Sequence, residues 1–168
     1  MKNFFLLFLG LCLSVSAFSQ AKKKADKQTE AWRYEIEVLS TGAQGTYQIK
    51  VWSYSKKASV ASEQSKKNAV HGIIFKGFVG KQGVPGARPL ADSPNLENEK
   101  ADFFEPFFED GGKYMKFVSM TTDGAIGAGD VQKVGKEYKV GVVVNVNVAE
   151  LRKDLEAAGI IKKLGAGF

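Results

Sequence analysis

Tyr138 to Ala158 reads YKVGVVVNVNVAELRKDLEAA, and this stretch decides the fold. Tyr138, Val140, Val142, Val144, Val146 and Val148 are apolar at every second position, while Lys139, Gly141, Asn145 and Asn147 between them are small or polar, with Val143 the exception. A period of two marks a strand with one buried face. Asn147 then stands three residues before Glu150, the spacing at which a side-chain oxygen caps a helix and a carboxylate answers back. Leu151, Leu155 and Ala158 follow on one stripe, and Gly159 ends it. A long central strand that feeds an amphipathic helix makes a sheet-and-helix scaffold. It carries no reactive side chain of its own.

At the other end of the chain, Lys2, an apolar run from Phe4 to Val15, and the small residues Ala17 and Ser19 have the layout of a secretory leader cut between Ser19 and Gln20. The run is too short for a retained anchor. Leu11 precedes Cys12 where lipoprotein processing needs a small residue, so a lipid anchor is not expected. Cleavage would leave about 149 of the 168 residues, one domain's worth, without the chain's one cysteine. That removes disulfides, a thiol nucleophile and thiolate metal sites from consideration. The expected destination is the periplasm, the outer membrane or the medium of a bacterial cell.

The formal charge is +6, and Lys22, Lys23, Lys24 and Lys27 concentrate part of it in a polar segment over residues 20–30. Such a segment reads as a solvated, disordered lead-in to a domain over residues 31–168. The sharper alternative is a weak tether to anionic membrane or glycan through Lys22, Lys23 and Lys24. No recognition motif accompanies the charge, so nucleic acid is not an expected partner.

Ala31 to Leu39 alternates Trp32, Tyr34, Ile36 and Val38 with Arg33, Glu35 and Glu37, a half-buried strand. The turn-rich STGAQG, Ser40 to Gly45, reverses it into a second strand over Thr46 to Tyr54. There Tyr47, Ile49 and Val51 share one face, while Trp52 and Tyr54 stand with Gln48 and Lys50 on the other. Two aromatics on a polar face mean a second packing layer or a partner surface. From Lys57 to Phe75, Ala58, Ala61, Ser62, Ser65, Ala69 and Gly72 recur at helical spacing, which lets a helix lie close on a sheet. Glu63, Lys66, Lys67 and Asn68 are expected on its wet side. His71, the only histidine, reads as a satisfied or surface residue rather than a ligand or base.

Gly77 to Asn95, GFVGKQGVPGARPLADSPN, holds four glycines and three prolines and forbids regular structure. Gly80-Lys81 is followed by Gln82 rather than Ser or Thr, so it is no phosphate loop, and no nucleotide or other cofactor is expected. A loop of this length in a small domain is a binding element or a tolerated insertion. Its cations Lys81 and Arg88 join Trp52 and Tyr54 as candidate binding residues. Phe103, Phe104, Phe107 and Phe108 fall on one helical face, interrupted by Pro106. Lys113 to Thr121 reads as a third strand buried on both faces, and Val131 to Val134 as a short strand turned through Gly135-Lys136.

The order of hairpin, helix, loop, aromatic helix, strand, hairpin and helix predicts an α+β two-layer sandwich, its sheet mainly antiparallel and its helices on one face. The Ala/Ser-striped helix after a hairpin, the strand VGVVVNVNV and the terminal helix AELRKDLEAAG resemble the small envelope modules of the LPP-twenty-type lipoproteins and the flagellar-T N-terminal domain. The chain is also similar to conserved exported Gram-negative proteins whose leaders end in Ser-Gln. The resemblance implies an envelope binding or assembly module and transfers no catalytic residues.

Chemistry is sparse. One histidine and no Gly-x-Ser-x-Gly elbow argue against a serine hydrolase, and the histidine and cysteine counts argue against zinc. Asp123 and Asp130 lack the alternating ligands of a calcium loop. The expectation is a non-enzymatic module acting on an envelope protein partner. The rival is a glycan- or peptidoglycan-binding or hydrolysing protein using Asp102, Glu105 and Asp123.

Overall fold

A computed structural model describes residues 32–81, 83–121 and 126–164. The leader, the basic segment over residues 20–30, and Asp123 lie outside the described residues. The fold is α+β. Five strands, β1 (Tyr34–Thr41), β2 (Thr46–Ser55), β3 (Val118–Met120), β4 (Val131–Val134) and β5 (Glu137–Asn147), form a curled antiparallel sheet. Its order is β1-β2-β5, with β3 and β4 sharing the far edge of β5. β3 pairs with Val144 to Val146 and β4 with Glu137 to Val140, so β5 is the central strand that its unbroken valine alternation predicts.

The helices are α1 (Ala58–Phe75), the single turn α2 (Leu96–Glu99), α3 (Ala101–Phe108) and α4 (Val148–Ala157). α1 lies on the face of β2 and β5 that carries Ile49, Val51, Val140, Val142, Val144 and Val146, all buried. Its stripe of Ala61, Ser65, Ala69 and Gly72 is buried there, as small residues allow. At Gly72 a side chain would collide with Ile36 of β1. Phe104, Phe107 and Phe108 close the core beside it, and Pro106 is accommodated inside α3. Asn147 Oδ1 accepts from Glu150 N at 3.0 Å, so β5 passes into α4 through the predicted cap, and Gly159 leaves it at φ 67°.

Four expectations are corrected. Lys113 to Phe117 is a 3-10 helix, and only Val118 to Met120 is strand. Tyr114 and Phe117 are buried while Met115 and Lys116 are exposed, a spacing of three that matches the 3-10 repeat. Lys67 and Asn68 are not on the wet side of α1. Both are buried, Asn68 donating to Ser53 Oγ at 2.8 Å and Lys67 lying 5.9 Å from the Tyr114 ring centre. Ala158 is exposed, and the buried stripe of α4 is Leu151 and Leu155 alone. The first strand also starts later than Ala31, at Tyr34, because Trp32 takes a positive φ of 43°.

Candidate functional site

The alternation of β2 sends Ile49, Val51 and Ser53 toward α1 and Lys50, Trp52 and Tyr54 to the opposite face. A short 3-10 helix, Ala128–Asp130, reaches that outer face through Asp130, which pairs with Lys50. Register sets Trp52 between Glu35 of β1 and Gly141 of β5, and Tyr54 beside Lys139. A side chain at Gly141 would meet Trp52 Cζ3 at 2.9 Å, so the indole lies against β5 only because that position is glycine. Trp52 Nε1 donates to Glu37 Oε2 at 3.5 Å, and the ammonium groups of Lys50 and Lys139 stand 5.4 and 5.2 Å from the indole centre.

Tyr54 is held as closely. Its hydroxyl donates to Glu35 Oε1 at 2.5 Å, and Glu35 Oε2 pairs with Lys139 at 2.7 Å. Arg33 lies over the Tyr54 ring at 5.4 Å and makes a two-pronged pair with Glu137 at 3.0 and 3.3 Å. Lys50 pairs with Asp130 at 2.8 Å. The hydrogen bond from Lys139 holds the Glu35 carboxyl below the usual carboxylate range, and the same bond raises Lys139. The result is a half-buried Trp-Tyr pair inside a frame of alternating charges from three strands.

The glycine-rich segment is a tight hairpin packed at the end of α1. Phe78 and Ala87 exchange backbone hydrogen bonds at 2.9 and 3.0 Å, and Lys81 and Val84 do so at 3.0 Å. Gly80 and Gly86 lie so close that a side chain at Gly80 would meet Gly86 N at 2.6 Å, which explains the glycine spacing. The hairpin places the two candidate cations differently. Lys81 reaches the rim of the outer sheet face and pairs with Glu37, whose carboxyl that bond lowers. Arg88 instead lines an open cleft of about 420 Å³ with Tyr34, Ile36, Lys76, Gly77, Phe78, Val79, Ala87 and Pro89. Thus Trp52, Tyr54 and Lys81 are gathered around one face, and Arg88 belongs to another site.

His71 is buried in a chain of polar contacts that no sequence spacing announces. Tyr34 Oη lies 2.5 Å from Nδ1, and Glu97 Oε2 lies 3.2 Å from Nε2. A neutral ring with its proton on Nε2 satisfies both, accepting from the tyrosine and donating to the carboxylate. Burial lowers the His71 pKa, against the opposing pull of Glu97, and burial raises the Tyr34 hydroxyl well above the usual tyrosine range. Trp32, Phe75 and Phe108 enclose the ring. Both nitrogens are occupied within the core, which makes this a structural network.

Of the acidic trio of the glycan reading, Asp102 and Glu105 are exposed on α3 and join no ion pair among the described residues. Among the described residues no group of three or more His, Cys, Asp or Glu could hold a metal ion, and no helix is long and apolar enough to cross a membrane. Comparison with protein-family models, with curated proteins and with solved structures found no match to this chain.

Proposed function

We propose that this chain is a non-enzymatic module of the bacterial envelope that docks on a protein partner through the outer face of β1, β2 and β5. One observation carries the reading: Trp52 and Tyr54 are half-buried on the sheet face opposite α1, ringed by the ion pairs Arg33–Glu137, Lys50–Asp130 and Lys139–Glu35. An aromatic centre with a charged rim is the anatomy of a protein interface, where a few buried aromatics supply most of the affinity. The rim alternates Arg33, Lys50, Lys81 and Lys139 with Glu35, Glu37, Asp130 and Glu137. Such a mixture suits a partner with its own mixed charges and does not suit a polyanion. Export through the N-terminal leader belongs to the same proposal.

Replacing Trp52 and Tyr54 together by serine tests it. The double variant is expected to keep the circular-dichroism spectrum and lose the protein recovered with the full-length chain from envelope extracts. Unchanged recovery overturns the assignment of this face. A heat-stability shift with peptidoglycan or polysaccharide fragments, absent in the double variant, would replace the protein partner with a glycan.

A further inference from the structure

The cleft between β1, the end of α1 and the 78–87 hairpin lies apart from the proposed docking face and has a chemistry of its own. Its walls are Ile36, Phe78, Val79, Ala87 and Pro89, and the charged groups lining it are Lys76 and Arg88. No acid lines it. Among the described residues Arg88 has no hydrogen-bond or ion-pair partner, whereas Lys81, on the same hairpin, is paired. Lys76 is positioned by its neighbours: Nζ donates to the Trp32 carbonyl at 3.1 Å and lies 3.8 Å from the centre of the Tyr34 ring.

We propose that this cleft binds a small amphipathic carboxylate, its charged head between Lys76 and Arg88 and its apolar body against Phe78, Val79 and Pro89. Lys76 and Arg88 are both exposed at the cleft and no acid lines it, so the pair attracts an anion. The apolar walls require that the anion bring an apolar body with it. Val79 is 87% exposed, an unusual state for a valine beside an otherwise formed cleft, and a bound chain would cover it. Partial burial already lowers the Lys76 pKa, a cost that a carboxylate head would offset. The volume, about 420 Å³, falls in the range of small-molecule sites. The site is also preformed. The hairpin is tied by its two backbone bridges, and Gly77, at φ 65°, lets the Ala87 to Pro89 backbone close onto the end of α1.

Titration of the full-length protein with octanoate, octanol and acetate, followed by amide chemical shifts, separates the contributions. Octanoate is expected to bind saturably and move the amides of Gly77, Val79 and Arg88. Octanol, which has the tail without the charge, and acetate, which has the charge without the tail, are each expected to bind at least roughly tenfold more weakly. Arg88→Gln is expected to weaken octanoate roughly tenfold, with Arg88→Lys retaining part of the affinity. Equal binding of octanol, no saturable shift in the cleft, or an Arg88→Gln protein that binds octanoate as well as the parent would each overturn the proposal. None of these results bears on Trp52 and Tyr54.

Discussion

Trp32 lies flat on His71, with ring centres 3.5 Å apart and planes 16° from parallel, and so closes the polar chain Tyr34-His71-Glu97 from the side of the first strand. The ring is confronted by Trp32 just before β1, Tyr34 within it, Lys76 just after α1, Glu97 on α2, and Phe75 and Phe108. Its pKa is held below the ordinary 6.5 by burial.

That depression predicts how stability depends on pH. As pH falls through 6.5 the unfolded chain takes up a proton at this residue that the folded chain resists, so folding weakens below pH 6.5 and gains nothing further above it. Each tenfold loss of proton affinity corresponds to about 1.4 kcal/mol. Because the chain has one histidine, its ring proton resonance reads the site directly. A titration midpoint below 6.5 is expected, along with a smaller pH slope of urea stability in His71→Gln. A midpoint at or above 6.5 contradicts the account.

Gly141→Ala tests whether the seat of Trp52 is built by the absence of a side chain on β5. The new methyl group would press on Trp52 Cζ3, Cε3 and Cη2 at about 3 Å. The indole is at the surface and can tilt away, so the expected stability loss is modest, about 1 kcal/mol. Tryptophan emission should change and partner binding should weaken. A variant with parental emission and parental binding would show that the indole position does not matter.

Asn147→Ala removes the oxygen that accepts from Glu150 N at the start of α4. The loss should be about 1 kcal/mol by urea unfolding, with Asn147→Asp near parental. Leu151→Ala, one turn on at a fully buried position, should cost about 2–5 kcal/mol. Equal losses for the two variants would mean that α4 is not docked by Leu151.

The sheet is legible in the sequence because alternation survives in every long strand. The valines of β5 and the Ile49-Val51 pair of β2 specify both the buried face and the register that follows from it. Lys113 to Phe117 is not legible, since over five residues rich in aromatics a period of two and a period of three fit equally well. The burial of Lys67 and Asn68 depends on Tyr114 and Ser53, partners that a helix stripe does not encode. For the same reason the placement of Trp52 and Tyr54 on a polar face is readable, while their bonding to residues of β1 and β5 is not. Arg88 reads as one cation in a loop, and only the folded chain brings Lys76 and Tyr34 beside it.

The central claim, docking through the outer sheet face, is tested most directly by photocrosslinking in cells. A photoreactive residue placed at Gln48 or Asn145, half-buried neighbours on that face, is compared with one at Glu63, exposed on α1. The account predicts one discrete adduct to an envelope protein from the first two positions, lost when Trp52 and Tyr54 are both serine, and no adduct from Glu63. The same adduct from all three positions, or from Glu63 alone, would contradict it.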